Sequence, residues 1–204
     1  MISSRRRLLA AAVTGLAGFA AWRLWPEQGL LNPCLGPLPP ELRAHALVRE
    51  AWTGIDPAQA WDGHAHLLGV GDASPAGEPG TGFNDAHSRL MWPLAAVQRY
   101  FFRNAACVEG EAVDAGYVAR LRSLADAMPA GHRLVLLALD RWHDETGRTL
   151  QQRTHAWTGN DYCAAVARAA PARFEWAASV HPYRADALTE LARVKKLGAR
   201  AVKW

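Results

Sequence analysis

The apolar residues of this chain recur in two rhythms. Leu90, Met91, Leu94, Val97, Phe101 and Phe102 fall at helical spacing and predict a helix over 88–103, with Pro93 near its start. Val118, Leu121, Leu124 and Ala125 predict another over 114–128, stopped by Pro129 and Gly131. Ala44, Leu47, Val48 and Ala51 predict a short helix over 41–52, with His45 off its apolar face as a solvated histidine. Segments of strand length lie between such helices: 60–68, 133–140, 174–184 and 199–204. The run RLVLLALD at 133–140 is almost unbroken, as in a strand buried on both faces. Two more helices are expected at 161–170 and 186–197, the second ended by Gly198. The segments 69–84, rich in Gly and Pro, and 141–159 read as loops. Strands alternating with helices predict a parallel sheet covered by its crossovers. GVGDAS at 69–74 opens as G-x-G but lacks the third glycine, and Asp72 would repel a phosphate, which excludes a dinucleotide fingerprint.

The first residues break this rhythm. A triple arginine, Arg5–Arg7, precedes a mostly apolar run from Leu8 to Trp22. Residues 1–25 therefore read as a signal peptide or membrane anchor, a hydrophobic helix ahead of the domain, with a loose twin-arginine character in SRRRLL. The expected location of the rest is exported: periplasmic, or membrane-anchored and facing the periplasm. Residues 26–40, PEQGLLNPCLGPLPP, read as a Pro/Gly linker, and 41–204 as the functional domain.

Charge alters the picture little. Arg5, Arg6, Arg7 and Arg23 account for the whole formal net charge of +4, and no basic stripe interleaved with aromatics follows. Nucleic acid is therefore not expected as a partner. Half the residues are hydrophobic, which excludes a disordered chain. Cys34, Cys107 and Cys163 form no CxxC, which argues against a cysteine zinc ribbon. Buried or incidental thiols are expected, with one disulfide open to an exported protein.

Candidate chemistry collects where the strands end: His64 and His66 on the first, Asp140 on the second, His181 on the third, Lys203 on the fourth. In a barrel of parallel strands these ends form the active-site face. Side chains two apart on a strand share a face, so His64 and His66 can address one cation. By the same period Asp62 would lie one layer deeper and fix a histidine tautomer. His87, His143 and His155 read as solvated loop histidines. Trp142 and Trp157 are candidates to line a substrate pocket, while Trp61 and Trp176 are expected to pack in or around the barrel.

WDGHAHLLG at 61–69 resembles the first strand of the amidohydrolase superfamily. VHPYR at 180–184 and LGARAVKW at 197–204 resemble later pieces of its amidohydrolase-related branch. The resemblance implies an α/β fold: an incomplete (β/α) barrel of TIM type, about the first four strand–helix units. It implies a divalent metal, most often zinc, held by His64 and His66. The activity implied is hydrolysis of amide- or ester-type bonds by metal-activated water, or decarboxylation in some relatives. In members with two metals a carboxylated lysine on the fourth strand bridges them, and Lys203 falls near that place. A strand-end or substrate-contacting lysine is the simpler role. Lys203, Asp140 and His181 are thus the catalytic candidates, Asp140 and His181 as substrate contacts or loop holders. The superfamily draws further ligands from strands five, six and eight, so a fragment with an incomplete site is expected. Its open edges invite pairing with another copy. The expected partner is a small-molecule substrate, selected by the loops 69–88 and 141–159. The competing reading is a non-enzymatic, membrane-tethered scaffold.

Overall fold

The computed structural model describes residues 11–16, 18, 19, 32–72, 80–83, 94–108 and 110–204. The chain divides into two units, Met1–Leu35 and Gly36–Trp204. In the first, residues 11–16, 18 and 19 are helical, with Val13, Leu16 and Phe19 exposed. Among the described residues no helix is long and apolar enough to cross a membrane. Most of the segment expected as a signal peptide or membrane anchor, residues 1–10, 17 and 20–25, lies outside the described residues.

The second unit opens with two short helices, α1 (Pro40–Arg43) and α2 (Ala46–Ala51). The single helix expected over 41–52 breaks where His45 turns extended and its Nδ1 caps the Leu47 N–H at 3.3 Å. There follow β1 (Trp61–His66), β2 (Thr81–Phe83), α3 (Leu94–Ala106), α4 (Val113–Asp126) and β3 (Arg133–Leu137). The chain continues with β4 (Ala156–Thr158), α5 (Asn160–Ala169), β5 (Phe174–Ser179), α6 (Ala187–Lys196) and β6 (Ala201–Lys203). Helix α3 is described from Leu94, and the start expected over 88–93 lies outside the described residues.

Four strands form a parallel sheet in the order β1-β3-β5-β6, and β2 pairs antiparallel with β4 in a separate ribbon. The TIM-type barrel is thereby corrected: the parallel sheet is open, with β1 and β6 as edges. The β2–β4 ribbon interrupts the strand–helix repeat that such a barrel requires. Both ribbon strands are three residues long, too short for a period-2 pattern to announce them.

One face of the sheet carries the core. Ala65, Leu134, Leu136, Phe174, Trp176 and Ala178 pack there against Tyr162, Cys163, Ala164 and Ala167 of α5 and Ala125 of α4. Val194 of α6 is buried in the same cluster. The expectation for Trp176 holds, whereas Trp61 is 42% exposed at the sheet edge, with the Arg133 guanidinium over its ring. At the other end of β5, the Asn160 side chain pairs with both backbone groups of Ser179, accepting from its N–H at 2.9 Å and donating to its carbonyl at 3.0 Å. Cys34 and Cys107 are each disulfide-bonded, which corrects the expectation of free thiols there. Cys163 is free, and burial pushes its thiol up to about 12.

Candidate functional site

The site begins with a fault in β1. Trp61 and Asp62 pair with Arg133 and Leu134, but Ala65 and His66 pair with Leu136 and Leu137. Three residue steps on β1 thus oppose two on β3, which is a β-bulge at Gly63–His64. Asp62 braces the bulge by accepting the His64 backbone N–H at 2.9 Å. The bulge also shifts the alternation of faces. Asp62 is in register with Leu134, on the core-facing side, while His64 and His66 point from the opposite face. The expected tautomer-fixing role of Asp62 is corrected accordingly: its carboxylate serves the backbone.

On that opposite face His64 Nε2 and His66 Nε2 stand 3.0 Å apart, with ring centroids 4.9 Å apart. Lys203 Nζ lies 3.3 Å from the same His66 nitrogen. These residues come from the two edge strands, whose backbones in a flat sheet would be separated by three spacings, about 14 Å. The register places Leu137 and Ala177 between them, and the long lysine reaches across. Burial, then the charges of Lys203 and His64, hold His66 below its ordinary value. Burial holds Lys203 below its ordinary value as well.

Three basic nitrogens therefore converge, and Lys203 makes no ion pair among the described residues. An imidazole nitrogen has one in-plane lone pair, so His66 Nε2 cannot accept well from both neighbours at once. Two bare Nε2 atoms facing one cation resolve that conflict. Nitrogens 3.0 Å apart, each about 2.05 Å from one ion, subtend about 94°. Widening the pair to about 3.3 Å gives the tetrahedral angle of zinc. The donor set thus fits two of a metal's ligands. No group of three or more His, Cys, Asp or Glu side chains suited to a metal occurs among the described residues.

Asp140 and His181 lie elsewhere, on the loops after β3 and β5. Asp140 Oδ2 accepts the His181 backbone N–H at 2.9 Å, Oδ1 accepts that of Arg141 at 2.8 Å, and the carboxylate pairs with Arg184 at 3.2 Å. Asp140 holds loops, one of the two roles expected of it. His181 Nδ1 accepts the Tyr183 N–H at 3.2 Å, and its ring is flanked by Trp142, His143 and Tyr183. Of the five predicted site residues the fold gathers His64, His66 and Lys203, and sets Asp140 and His181 apart as a second cluster. His143 is half-buried and hydrogen-bonded at both ring nitrogens, to the Arg141 carbonyl and Thr149, rather than solvated. His155 is exposed, and His87 lies outside the described residues.

Sequence reasoning missed one group entirely. Asp114, fully buried, accepts from the N–H groups of Val70 at 2.7 Å and Gly71 at 3.2 Å and from the Thr81 hydroxyl at 2.6 Å. Asp72 in turn caps α4 by accepting from Val113 and Asp114 N–H. Burial and the neighbouring Asp72 raise Asp114, despite the hydrogen bonds it accepts. Burial also opposes the charged form of Asp72, but the backbone donors outweigh it and leave that carboxyl low. Together they clamp the segment that leaves β1 immediately after the histidines. Gly69 fits because a Cβ there would overlap the Asp114 carboxylate.

Comparison of the chain with protein-family models, curated proteins and solved structures finds no match.

Proposed function

We propose that His64 and His66 hold a divalent metal ion, zinc by the nature of the donors, in a metal-dependent hydrolase of amide- or ester-type bonds. The observation that carries this reading is the 3.0 Å approach of the two Nε2 atoms with Lys203 beside them. A metal ion in such a site supplies a water acidified toward neutrality and a Lewis acid for a carbonyl oxygen. Burial and the charges of Lys203 and His64 hold His66 below its ordinary value, which favours the unprotonated ring that a ligand role needs. Lys203 sits where its ammonium can bind an anionic oxygen of the substrate. Asp140 holds the His181 and Arg141 backbones on the loops that follow β3 and β5. The partner is a small-molecule substrate, and the chain acts after export. The disulfide-bonded cysteines support an oxidising compartment, as does the basic and apolar start of the sequence.

The test is metal stoichiometry. Full-length protein is stripped with a chelator, titrated with zinc, manganese and iron, and analysed for bound metal before activity is tried on ester and amide substrates. Tight binding near one equivalent is expected, lost in His64→Ala/His66→Ala and weakened in either single variant. Absent binding, or metal retained by the double variant, overturns the site.

A further inference from the structure

Positive charge collects where the strands of the parallel sheet start, at the end opposite His66 and Lys203. A cavity of about 390 Å³ opens there between the C-terminal end of α5, the start of β5 and the turn after α6. That volume lies in the range of small-molecule sites. Its floor is apolar: Phe174 and Trp176, both buried, with Ala167 of α5 and Leu197 after α6. Arg133, Arg168 and Arg200 also line it, and Glu175 is the one carboxylate among the described residues that do.

Glu175 does not use up these cations. It accepts from Arg200 Nε at 2.9 Å and Nη2 at 3.1 Å, and from Arg133 Nη1. Each guanidinium has five N–H donors, so most of those on both arginines are left over. Arg168 is exposed and its side chain makes no hydrogen bond or ion pair among the described residues. Lys195 and Lys196, next to Leu197 in the last turn of α6, make no ion pair among the described residues either. Part of this charge offsets the carbonyl ends of α5 and α6, which carry about −0.5 each. Five cations against one carboxylate and those two helix ends leave an excess of about +3.

Guanidinium forks match the oxygens of phosphates and carboxylates, and an excess of that size favours a dianion over a monoanion. The apolar floor adds affinity for an organic group carried by the dianion. We infer that this cavity binds an organic phosphate monoester, its phosphate among Arg133, Arg168 and Arg200 and its apolar group against Phe174, Trp176 and Leu197. Glu175, its side chain 12% exposed, anchors two of the three guanidiniums. The cavity lies at the far end of the strands from the histidines and stands independently of the metal reading.

The experiment uses full-length protein treated with chelator, so that metal binding plays no part in the outcome. Phenyl phosphate, inorganic phosphate, benzoate and phenol are titrated by calorimetry. Phenyl phosphate is expected to bind in the millimolar range or tighter, at least about threefold tighter than each of the other three. Its affinity should fall as salt is raised from about 50 to about 200 mM. Arg168→Ala is expected to weaken it about tenfold, and Arg168→Lys, which keeps the charge but not the fork, less. Arg148→Ala, an exposed arginine of the 141–159 loop, should leave it unchanged. Circular dichroism melts confirm folding of the variants. No binding of phenyl phosphate up to about 20 mM, inorganic phosphate or benzoate binding as tightly, or unchanged binding in Arg168→Ala overturns the proposal.

Discussion

Asp114→Ala probes the clamp behind β1. The wild-type carboxylate serves three donors: Val70 N–H, Gly71 N–H and the Thr81 hydroxyl. In the alanine variant Gly71 N–H keeps a second partner, Thr81 Oγ1 at 3.0 Å, so two donors are orphaned. A buried donor left unmet costs about 1–3 kcal/mol, which gives about 2–6 kcal/mol for the pair. Removing the carboxylate also relieves its conflict with Asp72, so about 3 kcal/mol is expected. With a urea dependence of about 2 kcal/mol per molar, the unfolding midpoint falls by about 1.5 M. Asp114→Asn keeps an acceptor for both backbone N–H groups and sheds the like charge, and should cost less than about 1 kcal/mol. The assay is urea denaturation of both variants followed by far-ultraviolet circular dichroism. An alanine variant within about 1 kcal/mol of wild type, or an asparagine variant as damaged as alanine, would refute the hydrogen-bond account.

Further outcomes follow from the same geometry. Arg193, then burial in opposition and Asn160 in support, leave the Glu190 carboxyl below its ordinary 4.5; Glu175 is held low chiefly by Arg200 and Arg133. A depressed acid contributes stability that is complete above about pH 4.5 and is lost as pH falls through the folded value. The unfolding midpoint should therefore drop below about pH 4.5, and Glu190→Gln should show a lower plateau with a shallower acid limb. Gly147→Ala forces a Cβ into the left-handed region, 3.2 Å from Ala185 Cβ. It should cost about 1–3 kcal/mol by urea denaturation and part the loops after β3 and β5; an unchanged midpoint would show that they are not in register. Trp204, 88% exposed, should tolerate Trp204→Ser within about 0.5 kcal/mol in the same assay.

Local rhythm made the long helices and the parallel strands legible. The apolar spacing of α4 and the unbroken run of β3 place each within a few residues of its observed position. The histidine pair and Lys203 were also legible, because each lies at the end of a strand that faces one way. Asp62 was misread because a bulge is one extra residue, and nothing in the local composition marks it. The Asp72–Asp114 clamp was hidden for another reason: its partners are 41 and 42 positions apart, joined by a fold that local periodicity does not encode. Asp140 and His181 were placed at strand ends, yet β3 stops at Leu137 and β5 at Ser179, so both residues point with their loops.

The bulge in β1 determines what kind of cation the candidate site can attract. It acts as a phase shift: every residue before it faces opposite to where simple alternation would put it. Pair the same six residues in strict alternation, without the bulge, and Asp62 would turn to the histidine side, adding an anionic oxygen to the pair of imidazole nitrogens. As folded, no carboxylate among the described residues joins the trio, so a cation placed there would meet imidazole nitrogens alone. The ligand chemistry of this surface is thus set by a count of residues as much as by their identity.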